Sequence, residues 1–145
     1  YEECVQDCDQ ALRRDPALAN AATRRARALL ELGRTEDAQR GLRDFAATNG
    51  GGQAVGDEAR RVDRVATAVA DGRRAFADGD LMKARASFAG ALRDAESAPV
   101  VLGAAAAELG LGKIDRCLRL CLQVLRRADA ARWRPAALVV PGSVL

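Results

Sequence analysis

Apolar residues recur along this chain at intervals of three and four, the spacing that places side chains on one face of an α-helix. The clearest series are Ala26-Leu29-Leu30 and Ala38-Leu42-Phe45. Turn residues such as Asp78-Gly79-Asp80 separate these series. The pattern predicts helices over residues 2–14, 19–32, 35–48, 58–78, 81–95, 99–110 and 114–128, with a final helix from about residue 135. No convincing strand is predicted.

The helical pattern repeats. At a step of 34 residues, the first helix aligns with residues 35–46, so that Cys4, Cys8 and Ala11 fall on Ala38, Leu42 and Phe45. At a step of 33 residues, Gly79, Ala84, Phe88 and Ala91 fall on Gly112, Cys117, Cys121 and Val124. A helical hairpin of this length cannot bury its apolar stripe alone, so we expect neighbouring hairpins to stack. Small residues are expected where helices cross closely, at Ala26, Ala38, Gly72, Ala84 and Ala105, with Leu42, Phe45, Phe88 and Leu125 filling the gaps between layers.

A glycine-rich stretch interrupts the repeat. Gly33 and Gly79 hold the same place in the motif but lie 46 residues apart instead of 34, which implies an insertion of twelve residues. The stretch from Asn49 to Gly56 is its predicted place. We therefore predict a first segment at residues 1–48, with a partial repeat and one full repeat, and a joint at 49–57. A second segment at 58–145 would hold two repeats and the start of a third.

Several of these stretches resemble the tetratricopeptide repeat, namely Asp15-Pro16, Arg24–Arg34 with Glu36-Asp37-Ala38, Gly72–Asp80 and Ala104–Lys113. The resemblance implies an all-α fold, a superhelix of stacked antiparallel helical hairpins with a concave groove. The order of a repeat, a charged joint and a new array is similar to DnaJ-type co-chaperones. Their J domain depends on a His-Pro-Asp motif, which a chain without histidine cannot supply. The repeat phase also suggests a piece of a longer protein, since it begins at a second helix and stops inside a first helix.

The resemblance implies a peptide-binding groove. In chaperone-binding repeats, a lysine and an arginine four residues apart on one helix grip the acidic C-terminus of a partner. Here Arg24 matches the arginine, whereas Asn20 stands at the lysine position. The candidate peptide-binding residues are Asn20, Arg24, Arg27 and Arg73. In the second array, Val69, Arg73 and Gly103 stand where the family has a lysine and two asparagines. Two interpretations follow: Arg24 and Arg73 are solvated arginines that line the groove, or a weakened acidic-peptide site is centred on Arg24 and Arg27.

These residues favour a protein–protein interaction scaffold, part of a chaperone co-factor that docks chaperone or client peptides. The candidate partner is the acidic C-terminus of cytosolic heat-shock chaperones. The alternative is a structural subunit of a larger assembly with no link to chaperones.

Composition excludes several other functions. The net charge of +3 is spread among interspersed acidic residues, and aromatic residues make up only 3%, which argues against nucleic-acid binding. The absence of histidine removes Ser-His-Asp and Cys-His nucleophiles. No phosphate-binding glycine loop occurs. We therefore expect no enzyme activity, no cofactor and no small-molecule substrate. No apolar run approaches the ~20 residues that cross a bilayer, and no signal peptide opens the chain, so the expected location is the cytoplasm, with the nucleus as the alternative.

Four cysteines form two Cys-x3-Cys pairs, Cys4/Cys8 and Cys117/Cys121. Four thiolates can hold zinc, but these positions in the repeat face a partner helix, where cysteine behaves as a small apolar residue. The predicted role is packing, with no metal site.

Three aspartates and the single tryptophan receive structural interpretations. Asp78 and Asp80 belong to a turn and Asp94 to a helix end, positions at which aspartate caps the backbone and is solvated. Trp133 is expected to pack against the preceding helix, with a partner contact as the alternative.

Overall fold

A computed structural model describes residues 1–128, which form seven helices. No strand lies among these residues, so the all-helical class is confirmed for them. The predicted final helix from about residue 135 and the predicted packing of Trp133 lie outside the described residues. The helices are α1 (Glu2–Arg14), α2 (Ala19–Glu31), α3 (Thr35–Asn49), α4 (Gly52–Ala77), α5 (Leu81–Asp94), α6 (Ala98–Gly110) and α7 (114–128).

Each helix from α1 to α5 packs against the next one along the chain. In addition, α2 contacts α4, and α4 contacts α6, so the three even-numbered helices lie in a row. This arrangement is that of layered helical hairpins, in which each hairpin covers part of its neighbour.

The even-numbered helices end in the same turn. Gly33, Gly79 and Gly112 adopt φ values of 78°, 80° and 77°, a conformation that residues with a Cβ rarely adopt. Each glycine N–H donates to the carbonyl three residues back, and the following N–H donates to the carbonyl five residues back. This pair of bonds is the Schellman motif, which satisfies the last carbonyls of a helix. The sequence repeat therefore appears in the structure as three hairpins with one turn geometry.

The glycine-rich stretch is mostly helical. Helix α3 ends at Asn49 and α4 begins at Gly52, so the predicted start of this helix at residue 58 is wrong by six residues. Packing explains the difference, because Val55 and Glu58 are buried and extend the inward face of α4 toward its N-terminus. Burial of that face outweighs the low helix propensity of glycine. One apolar cluster includes Leu29, Val62 and Val100, and so spans both sides of the stretch.

All five small residues at the predicted crossings are buried. Phe88 lies between α4 and α6, where a Cβ added at Gly72 or Gly103 would come within 2.8 or 2.3 Å of its ring. Leu42 is buried and Phe45 half-buried, also as predicted. Leu125 is not, because 59% of it is exposed. Helix α7 instead half-buries its Cys117, Cys121 and Val124.

Two arginines of α4 bind Asp94 at the end of α5. Arg64 donates two hydrogen bonds of 3.1 Å to the carboxylate of Asp94. Arg61 donates to the backbone carbonyl of the same residue. The hydrogen bonds from Arg64 hold the pKa of Asp94 below its ordinary value of 3.8, against the opposing effect of partial burial.

This lowered pKa predicts a specific acid sensitivity. A carboxylate whose folded-state pKa is depressed stabilises the fold above its ordinary pKa, and the contribution is lost as the pH falls through the folded-state value. When the pH falls from about 7 to about 2.5, we expect the free energy of unfolding to decrease less in Asp94→Asn than in the wild type. Urea unfolding at each pH measures the difference. The matched control is Asp71→Asn on α4, an exposed carboxylate with no ion pair within residues 1–128. Equal pH dependence in wild type and Asp94→Asn would contradict the assignment.

Candidate functional site

Helix α2 brings three of the four predicted site residues to one face. Asn20, Arg24 and Arg27 are separated by four and three residues, so their side chains project from neighbouring turns of the helix. They line an open pocket of about 420 Å³ between α2 and the first turns of α4. We call it the α2–α4 pocket, and its lining is completed by Thr23, Ala54, Asp57 and Glu58.

The fourth predicted residue lies elsewhere. Arg73, in the second half of α4, lines a different cavity of about 440 Å³ together with the start of α3 and the start of α6. Val69, which stands at a position equivalent to a family lysine, lines that same cavity. The long helix α4 therefore divides the predicted site, because its first turns face α2 whereas Arg73 lies five turns further along.

The buried carboxylate of Glu58 offsets part of the positive charge of the α2–α4 pocket. Arg27 Nε donates to Glu58 Oε2 at 2.8 Å, and Glu58 is only 3% exposed. The other oxygen, Glu58 Oε1, has no hydrogen-bond partner among residues 1–128 and lies 3.7 Å from Nη1 of Arg61. Arg27 is thus engaged by an internal partner before any ligand arrives. Breaking a pair of this kind leaves a buried charge uncompensated, which is costly.

Arg24 is the second guanidinium of the pocket. It is exposed, and it makes no ion pair or side-chain hydrogen bond within residues 1–128. Asn20, one turn earlier, is also exposed and offers an amide that can donate or accept. Together they present two polar groups to the open side of the pocket.

Neither acidic residue of this pocket was among the predicted site residues. Asp57 falls in the predicted joint and Glu58 at the first residue of the helix predicted over 58–78, so neither was expected to face α2. The spacing of Val55, Glu58, Val62 and Val65 carried the information, since intervals of three and four extend the buried face of α4 back to residue 55.

The other candidate groups have structural surroundings. Asp80 caps α5 by accepting the N–H of Lys83 at 3.1 Å. Cys8 is buried, and burial together with the neighbouring Cys4 raises the pKa of its thiol, which favours the neutral form. In the part of the chain that the structure describes, no group of three or more His, Cys, Asp or Glu side chains is placed to hold a metal ion.

Comparisons with family models, curated proteins and solved structures find no match for this chain. Among residues 1–128, no helix is both long enough and apolar enough to cross a membrane. The functional inference therefore depends on the residues of the chain and their geometry.

Proposed function

We propose that this chain is a tetratricopeptide-repeat scaffold that docks peptide segments of chaperones or of their clients in the cytosol. Three hairpins with the same glycine turn support the proposal, as does the row formed by α2, α4 and α6. Stacked hairpins of this kind present an extended surface, which suits recognition of a peptide.

The observation that carries the proposal is Arg24, exposed beside Asn20 in the α2–α4 pocket. A guanidinium held on a helix can donate two parallel hydrogen bonds to a carboxylate with little further ordering. Asp57 is paired with Arg60, and Glu58 with Arg27, but both carboxylates still lower the positive potential of the pocket. We therefore expect acidic peptides to bind weakly and with a marked dependence on salt.

Titration of a labelled peptide ending in Glu-Glu-Val-Asp tests this expectation. Arg24→Ala should weaken binding by roughly 10- to 150-fold, the loss of about 1.5–3 kcal/mol from a charge-assisted hydrogen bond. Asn20→Lys adds a cation and should tighten binding. Arg43→Ala is the matched control, because Arg43 is an exposed arginine on α3 outside the pocket.

The carboxylate of Asp57 provides a second test of the α2–α4 pocket. Asp57→Asn removes a negative charge from the pocket and should also tighten binding of the acidic peptide. Asp63→Asn makes the same change of charge on the same helix, outside the pocket, and should have a smaller effect. Undetectable or equal binding in the wild type, Asn20→Lys and Asp57→Asn would show that the pocket does not accept carboxylates.

A second candidate function is that of a structural subunit of a larger assembly. Its support is the exposed apolar face of α7, formed by Ile114, Leu118, Leu122 and Leu125, which are 48–59% exposed. Contiguous apolar surface of this kind often marks a protein interface. The response of partner binding to salt and to substitution distinguishes the two functions. If a partner remains bound at high salt but no longer binds Leu122→Glu, the assembly role is favoured. If its binding is lost both at high salt and in Arg24→Ala, peptide docking is favoured.

A further inference from the structure

A further polar cavity lies between α5, α6 and α7. Its volume is about 410 Å³, within the range of cavities that hold small ligands. Three arginines, one glutamate and aliphatic side chains line it, principally Arg85, Arg116, Arg119, Glu108, Leu92 and Leu120.

The charges of this cavity do not balance. Arg85 Nε donates to Glu108 Oε1 at 2.8 Å, so these two groups neutralise each other. Glu108 is 8% exposed, and within residues 1–128 its Oε2 has no hydrogen-bond partner, although the Nη1 of Arg116 lies 4.0 Å away in a long ion pair. Arg119 makes no ion pair within residues 1–128. In this part of the chain the lining therefore carries three guanidiniums against one carboxylate, and the two guanidiniums farther from full pairing stand three residues apart on α7.

The chemistry of the lining selects among anions. Among residues 1–128, no aromatic side chain lines the cavity, so this part of the chain offers no stacking surface for a nucleotide base. The positive charge of the lining attracts a carboxylate and a dianionic phosphate alike, so the apolar part of the lining is what distinguishes them. Leu92 and Leu120 form an apolar wall beside the arginines, which suits a carboxylate attached to a short aliphatic group.

We propose that this cavity binds the C-terminal carboxylate of a peptide whose last residue is aliphatic. Arg116 and Arg119 hold the carboxylate from one face of α7, and the aliphatic side chain lies against Leu92 and Leu120. Different helices carry this site, so it goes beyond the function proposed for the α2–α4 pocket and does not depend on it.

The test is a titration of the ¹⁵N-labelled full chain with acetyl-Ala-Ala-Leu, followed by backbone amide shifts. The free acid should produce saturable shifts among residues 104–120, and the C-terminal amide should bind at least about tenfold more weakly. Arg119→Gln should weaken binding of the free acid by a similar factor, with Arg119→Lys as a variant that keeps the charge. Arg126→Gln, an exposed arginine of the same helix outside the cavity, should bind like the wild type.

Three results would overturn the proposal. Equal binding of the acid and the amide would remove the role of the carboxylate. Tighter binding of inorganic phosphate, lost in Arg119→Gln, would identify a phosphate site instead. Tighter binding of decanoate would identify a site for free fatty acids. Binding of the Glu-Glu-Val-Asp peptide should respond to Arg24→Ala, and binding of acetyl-Ala-Ala-Leu to Arg119→Gln, so failure of one proposal is distinguishable from failure of the other.

Discussion

Phe88→Ala should destabilise the fold by about 3–5 kcal/mol, the cost of removing a large aromatic side chain from a packed core. Phe88 is 3% exposed and belongs to the apolar cluster that also contains Ala75, Ala84, Ala104 and Ala107. The other buried members of this cluster are alanines, which are too small to fill the space that Phe88 leaves. Partly buried Val69, Leu92 and Leu120 also pack against the cluster, so the loss should lie within this range and depends on how far they move into the space.

The matched control is Phe76→Ala. Phe76 is 43% exposed near the end of α4, so its truncation removes little buried surface and should change stability by less than about 1 kcal/mol. Urea unfolding followed by circular dichroism compares the two variants. Equal losses would show that Phe88 does not hold the α4–α5–α6 packing together.

The contact between Phe88 and Gly103 predicts that Gly103→Ala changes stability in opposite directions with and without the Phe88 side chain. In the wild type, Gly103→Ala should destabilise, because its Cβ would lie 2.3 Å from the Phe88 ring. In the Phe88→Ala background the clash is absent, so the substitution should stabilise, both by filling the cavity and by the higher helix propensity of alanine, about 1 kcal/mol. The same sign in both backgrounds would contradict the packing of Phe88 against Gly103.

The helices and their turns could be predicted from the sequence because their causes are local. Apolar spacing marks a buried helical face, and Gly33, Gly79 and Gly112 supply the left-handed conformation that a Schellman turn requires. Each of these features involves residues within one or two turns of each other, so the one-dimensional pattern contains them.

The start of α4 could not be predicted in the same way. Three consecutive glycines at 50–52 indicate a break, and only two of them, Gly50 and Gly51, lie outside a helix. The helix extends back to Gly52 because Val55 finds a buried place in the cluster with Leu29 and Leu42. That gain depends on tertiary contacts, which local propensity does not report.

The candidate site, too, could be predicted from the sequence only in part. The common face of Asn20, Arg24 and Arg27 follows from helical spacing and was predictable. The pairing of Arg27 with Glu58 joins residues 31 apart, and the separation of Arg73 from the others depends on the length of α4. Both required the position of one helix against another. The exposure of Leu125 likewise depends on which face α7 turns toward α5 and α6.

Comparing equivalent glycine turns separates the backbone cost of a glycine-to-alanine substitution from the cost of a steric clash. Gly33→Ala should destabilise the fold by about 2–5 kcal/mol, in part because alanine at a φ of 78° costs about 1–2 kcal/mol. The rest comes from a clash, since the new Cβ would lie 2.9 Å from Cγ of Pro99 at the start of α6. Gly79→Ala is the control, because its φ is 80° and no atom of residues 1–128 lies within 4 Å of the added Cβ. It should show the backbone cost alone.

Removing Pro99 tests the second cause directly. Pro99→Ala should be mild by itself, since Pro99 is exposed and lies in the first turn of α6, where proline donates no helical hydrogen bond. Combined with Gly33→Ala, it should restore stability to about the level of Gly79→Ala, a coupling of about 1–3 kcal/mol by double-mutant cycle. Because Gly33 closes the α2–α3 hairpin and Pro99 opens the α6–α7 hairpin, this coupling measures a contact between hairpins. Equal losses in Gly33→Ala and Gly79→Ala, with no coupling to Pro99, would mean that the turn of one hairpin does not pack against the next.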